Sequence, residues 1–224
     1  MKPIWTSAAA VALLVVVTAP GGGQPPGQDP TKEADYFPLS AGAIWTYQDS
    51  TGGTLITVKL TKQEEKKVGD AMIKHSRLET TLNNMPFSSE VVAPLAQGLC
   101  RVAVDDKPIT PPLCFLELPP KKGNDWKKWK VDAKVGDEKM TGEFVAGEEE
   151  VETKMIPYFA SKEEKKVKLL FVKGNLVVKG DPKDKDQPLG LTYYFAPGVG
   201  IVKQVVSFGG VQAELRLKSY DFNK

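Results

Sequence analysis

Two cysteines, one histidine, two acidic clusters and one basic-aromatic run are the places where this 224-residue chain has side chains suited to chemistry. Cys100 and Cys114 are separated by 13 residues, and each sits in a short strand-like run, Leu99–Val104 or Leu113–Leu118. An even cysteine count in an oxidising compartment favours a disulfide. A bridge closing a loop of this size would stabilise the fold by roughly 3 kcal/mol. Two buried free thiols are the alternative, and a redox pair lacks the CxxC spacing it needs. His75 lies in a strand candidate, Ala71–Leu82, beside polar Lys74, Ser76 and Arg77. As the single histidine it excludes every site needing two imidazoles, HExxH zinc centres included. No GxSxG elbow accompanies it, so the pattern predicts a solvent-facing strand residue rather than a general base.

The acidic clusters are equally unpromising as sites. Asp181, Asp184 and Asp186 fail the D-x-[DN]-x-[DN]-G spacing, and Lys183 and Lys185 interleave and cancel their field. No metal or cofactor is expected. Glu148, Glu149, Glu150 and Glu152 read as a solvated turn; a carboxylate-based hydrolase would need two acids converging in a cleft. The chain is therefore expected to be non-enzymatic, with no catalytic residue. The run from Lys121 to Lys130 mixes lysines with Trp126 and Trp129, as single-strand nucleic-acid surfaces do. Asp125 and Asp132 bracket it, and a net charge of +2 gives no bulk attraction to nucleic acid. Trp129 as a core anchor with lysines on the wet face is the plainer reading; a membrane surface or anionic polymer is its functional version.

The elements that must position these residues begin after an N-terminal segment. Lys2 precedes ten uninterrupted apolar residues, Ala8–Val17, followed by Thr18, Ala19 and Pro20. That is too short for a spanning helix and fits a signal peptide over residues 1–19. Export to the periplasm or outside follows, with no transmembrane domain after cleavage; an uncleaved segment acting as a tether is the alternative. No cysteine follows the run, so a lipobox-type attachment is not available. Residues 20–35 are rich in Pro and Gly and form a flexible spacer. Residues 36–224 remain as one domain of comfortable size.

Period 2 dominates that domain. Apolar and polar residues alternate in Leu55–Leu60, Trp129–Val135 and Val211–Lys218, each a half-buried strand. No segment carries a helical apolar stripe over three turns. The charged runs Lys62–Lys67 and Lys162–Lys168 read as exposed strand ends. Turn residues recur at Thr51-Gly52-Gly53, Val68-Gly69-Asp70, Asn83-Asn84, Val135-Gly136-Asp137 and Gly209-Gly210. Prolines at 108, 111, 112, 119 and 120 mark sheet edges or crossovers. The predicted fold is mainly β, a single antiparallel meander curled into a half-barrel or sandwich, with little helix.

Three segments carry a resemblance. The domain opens Tyr36-Phe-Pro-Leu-Ser-Ala-Gly-Ala-Ile-Trp45-Thr-Tyr47. Pro111–Trp126 follows mid-chain, and Tyr194-Phe-Ala-Pro-Gly-Val-Gly-Ile-Val-Lys-Gln204 precedes the last hairpin. This is similar to a group of uncharacterised exported bacterial proteins that begin "YFPL..G..W.Y" and carry "WFA.GVG.VK" near the end, with Tyr194 here in place of the Trp. The resemblance implies a β-rich half-barrel broadly like periplasmic lipoprotein-carrier folds, without the helices that plug them. The expected partner is a lipid or other hydrophobic ligand, or an envelope protein. Candidate ligand-binding residues are Trp45, Tyr47, Trp129, Tyr194 and Phe195, and a structural or interaction module without small ligand is the alternative.

Overall fold

The computed structural model describes residue 36 and residues 38–159, 165–179 and 186–222. The signal segment 1–19, the spacer 20–35, and Asp181 and Asp184 of the acidic loop lie outside the described residues.

Alternation of apolar and polar residues is realised as fourteen strands: β1 (Ala43–Asp49), β2 (Leu55–Val68), β3 (Ala71–Leu82), β4 (Met85–Leu95), β5 (Gly98–Val104), β6 (Lys107–Glu117), β7 (Lys121–Lys122), β8 (Asp125–Trp126), β9 (Lys128–Val135), β10 (Glu138–Glu152), β11 (Lys166–Lys179), β12 (Gln187–Ala196), β13 (Gly200–Phe208) and β14 (Val211–Phe222). Two 3-10 turns, Thr153–Met155 and Pro157–Phe159, are the helical elements among the described residues. Twelve strands close into one antiparallel barrel in the order β1-β14-β13-β12-β11-β10-β9-β6-β5-β4-β3-β2, and β7-β8 form a small separate ribbon. The mainly-β expectation holds, but the half-barrel or sandwich is corrected to a closed barrel. The first and last strands pair from Ala43↔Phe222 to Asp49↔Leu215, so neither is left as an open edge.

The turns at one end are tight and need left-handed backbone. Asn83 and Asn84 both take positive φ, as do Asp105 and Asp106, a pair that the sequence pattern did not single out. The opposite end, where β1 starts and β14 finishes, carries the β2–β3 hairpin, the β7-β8 ribbon and the two 3-10 turns. Two expectations about local placement need correction. Glu148–Glu152 is no turn; it lies in β10, where Glu148 and Glu150 pair with Lys168 and Lys166 of β11. Of the two alternatives for the Pro-rich stretch 107–112, the crossover fails, since the stretch belongs to β6 along its full length, while the sheet edge fits Pro111 and Pro112, past which β6 has no ladder to β9.

The barrel interior is packed with side chains. Trp45, Tyr47, Phe115, Phe144, Tyr193 and Phe195 are all fully buried. Outward positions are polar, as in β9, where Lys128, Lys130, Asp132 and Lys134 are exposed and Trp129, Val131, Ala133 and Val135 buried. Apolar inside and polar outside is the reverse of a barrel that spans a membrane with its strands. Among the described residues no helix is long and apolar enough to cross a membrane.

Candidate functional site

The barrel wall is not equally tight all the way round. Every hairpin in it is zipped along most of its length, as with the fourteen residue pairs of β10 and β11. β6 and β9 pair only at Ile109↔Val135 and Thr110↔Lys134. The next two residues of β6 are Pro111 and Pro112, which have no N–H to offer a ladder. Past them the two strands part. β6 is held instead on its other side by β5, through Leu99↔Leu116 and the disulfide between paired residues Cys100 and Cys114. The bridge expected from the sequence is thus present, and it braces the strand that borders the gap.

The gap opens into a cleft of about 610 Å³, within the usual range for small-molecule sites. Pro111, Pro112 and Leu113 form one wall, and Val131 and Ala133 of β9 the facing one. The tip of the β2–β3 hairpin supplies a third through Val68, Ala71 and Ile73. That tip is a two-stranded arm. β1 pairs with β2 only as far as Lys59, and β4 with β3 only as far as Ser76, so Glu64–His75 pairs with itself alone. Trp129 sits at the cleft and spans the parted strands: its indole N–H donates to the Cys114 carbonyl at 2.8 Å. Phe144 packs behind it at 5.6 Å between ring centroids. Gly174 makes room for that packing, because a Cβ there would lie 2.3 Å from the Phe144 ring.

The five aromatic candidates fall in three places. Trp45, Tyr47 and Phe195 belong to the packed interior. The Trp45 indole N–H donates to the Val199 carbonyl at 3.2 Å and the Tyr47 hydroxyl to the Ile201 carbonyl at 2.8 Å. Tyr194 lies on the outer face, donating to Glu149 at 3.0 Å with the Lys203 ammonium 5.1 Å from its ring centre. Burial, and then the Glu149 hydrogen bond, push its pKa up to about 12. Trp129 alone of the five lines the cleft.

A buried charge pair went unforeseen. Arg101 of β5 and Glu90 of β4 are both fully buried, with Nε donating to the carboxylate at 2.6 Å. The guanidinium also donates to the Tyr193 hydroxyl at 3.3 Å and lies 4.7 Å from the Phe115 ring centre. Burial pushes the Glu90 carboxyl upward while Arg101 pulls it back; for Arg101 burial works downward, and Tyr193 and Glu90 overcome it. The pair ties β4 and β5, beside the gap, to β12 across the interior. The strand pattern hid it because β5 is bulged, which buries Leu99, Cys100 and Arg101 in succession. His75 likewise departs from expectation. It is 9% exposed rather than solvent-facing, and burial, with the nearby Lys66, lowers its pKa so that it is neutral near pH 7. No metal-binding cluster of acids, histidine and cysteine forms among the described residues.

The cleft residues Val68, Ala71, Ile73, Val131 and Ala133 carry no motif. The one available signal was the Pro111-Pro112 pair inside a strand and next to a cysteine. No protein-family model matches the chain, and no curated protein matches it. Two solved structures are similar to it. One is described as a "putative lipoprotein" from Parabacteroides distasonis, with 11% identity over 83% of this chain and 98% of that one, at a TM-score of 0.48. The other is described as a "putative exported protein with YmcC-like fold" from Bacteroides fragilis, with 12% identity over 84% of this chain and 99% of that one, at a TM-score of 0.44.

Proposed function

We propose that this chain is an exported, non-enzymatic β-barrel domain that takes a hydrophobic or amphipathic ligand in the cleft between β6 and β9. The observation that carries the reading is the contrast between a filled interior and an open, mainly apolar cleft in the wall. A ligand has no room among Trp45, Tyr47 and Phe195, and does have room against Trp129, Val131 and Ala133. Lys2 with the Ala8–Val17 run supports export, and the Cys100–Cys114 bridge suits an oxidising compartment. On this reading the chain is one of the exported proteins that share its opening "YFPL..G..W.Y" motif. The filled interior also favours a second reading, an interaction module without small ligand.

Native mass spectrometry of the protein purified from an envelope fraction separates the two. Adducts of acyl-chain mass, lost from an Ala133→Trp variant that fills the cleft, are the expected result. A clean apo mass, together with no uptake of a fluorescent fatty acid, contradicts ligand binding.

A further inference from the structure

The arm that walls the cleft has a second face. Cross-strand neighbours share a side of a hairpin, so Val68 and Ala71 face the cleft together, whereas Lys67 and Met72 share the opposite side, with Glu65 and Lys74 two residues further along. Met72 is 61% exposed and Val68, at the tip, 43%. Two large apolar side chains at the end of a two-stranded projection cost free energy in water unless something covers them. Leu118 and Met155 are also exposed, in connections at the same end of the barrel; Met85, Phe87 and Val211 are exposed at the tight-turn end, so it is the charge around the apolar side chains that sets the two ends apart.

The charges around this end are not balanced locally. Glu64 holds both Lys62 and Lys66 at 2.7 Å, and Glu117 faces Lys127 at 3.7 Å. Lys67 and Lys74 on the arm, and Lys128 and Lys130 across the cleft, enter no ion pair among the described residues; Glu65 and Asp70 of the arm enter none either, which leaves lysine in surplus. The opposite, tight-turn end instead presents Asp105, Asp106, Asp137 and Glu138 at its turns. Finally, β1 begins at the arm's end of the barrel, so the chain enters the fold from that side.

We infer that the arm end of the barrel docks on an anionic lipid bilayer, with Met72 and Val68 entering the interface and Lys67, Lys74, Lys128 and Lys130 over the headgroups. Apolar tips ringed by lysine fit the bilayer boundary, where the stem of a lysine lies along apolar surface and its ammonium reaches phosphate. Docking in this orientation presents the cleft mouth to the lipid. It does not require the cleft to be occupied, so it stands or falls apart from the ligand reading.

Co-sedimentation of the full chain with vesicles of phosphatidylcholine, with and without added phosphatidylglycerol, tests it. Any contribution of the N-terminal apolar run is common to both vesicle types and to every variant. Each lysine over an anionic surface strengthens binding about fivefold. Lys67→Glu with Lys74→Glu should therefore weaken retention on the anionic vesicles by at least about 25-fold, with unchanged circular dichroism. Met72→Ser should weaken it severalfold, whereas Lys107→Glu with Lys179→Glu, at the other end, should leave it unchanged. High salt should abolish the anionic preference. Equal retention on both vesicle types, retention indifferent to the arm variants, or binding to soluble heparin in place of vesicles overturns the inference. Acyl uptake with no vesicle preference would keep the cleft and remove the docking face; vesicle preference without uptake would do the reverse.

Discussion

The barrel closes where β1 meets β14 and parts where β6 meets β9, and these are its two junctions between strands that no hairpin joins directly. At the first, seven residue pairs form, Trp45 stacks on Tyr220 at 5.4 Å, and Tyr47 reaches over to the Ile201 carbonyl. At the second, two pairs form, and prolines end the ladder. The well-zipped junction joins residues as far apart in the chain as Ala43 and Phe222, whereas the parted one joins near neighbours such as Ile109 and Val135, so distance along the sequence would predict the reverse. Side-chain chemistry explains the difference. Aromatic residues with a polar tip can lie in the core and still bind a main-chain carbonyl beyond the neighbouring strand, as Trp45 and Tyr47 reach past β14 to Val199 and Ile201, which draws the walls together. Adjacent prolines remove two donors and leave a gap that the Trp129 indole bridges. An open seam of this kind is a feature of the sequence rather than a failure of closure.

The largest expected effect tests whether the interior charge pair holds the open side in place. Arg101→Ala leaves Glu90 buried without its partner and should cost about 3–5 kcal/mol, read as a lowered urea midpoint. Arg101→Met with Glu90→Leu should recover most of that loss. Trp45→Ala at the closed junction should cost about 3–5 kcal/mol. Trp129→Ala should cost roughly half as much, because one side of its indole is turned to the cleft and has fewer atoms to lose. Equal losses would erase the distinction between the junctions. Cys100→Ser with Cys114→Ser should cost roughly 3 kcal/mol and, by freeing β6, weaken acyl-probe uptake more than it weakens the fold. Indifference of uptake to the bridge would separate the disulfide from the cleft.

The smallest effect concerns Tyr47. Burial raises its pKa well above the ordinary tyrosine value, since the phenolate would sit in the core without water. A raised pKa means that the protonated form stabilises the fold fully below the unfolded value of about 10, and that this contribution is lost as pH rises above it. Tyr47→Phe should cost about 1–2 kcal/mol at neutral pH through the stranded Ile201 carbonyl. It should also flatten the alkaline fall in melting temperature. A variant with the same alkaline slope as the parent would place the sensitive group elsewhere.

Much of this architecture is visible in the sequence, and the parts that are not have identifiable reasons. Strands such as Trp129–Val135 announce themselves because one face is wet and the other packed, which writes period 2 into the residues. Turns with Gly or paired Asn are equally plain, and the cysteine pair was readable from count and compartment. Closure was not, because nothing local to Ala43–Asp49 or Val211–Phe222 says that they are partners; non-adjacent pairing leaves no short-range mark. Arg101 was overlooked and His75 misplaced for a different reason. A bulge breaks the alternation around Arg101, and the polar neighbours of His75 disguise a buried position. The aromatic residues chosen as a binding set were those with the largest apolar area, and the core claims such residues first. The cleft is walled by small and medium side chains whose only shared property is their place beside the gap.

Photolabelling locates the ligand site most directly. A fatty acid carrying a diazirine on its chain, irradiated with the full-length protein and mapped by peptide mass spectrometry, should modify Pro111–Leu113 of β6, Val131–Ala133 of β9 and the arm tip at Val68–Ile73, with labelling suppressed in Ala133→Trp. Labels on Trp45, Tyr47 or Phe195 inside the barrel, or labelling of the cleft that survives its filling, would contradict the assignment of the parted β6–β9 seam as the binding site.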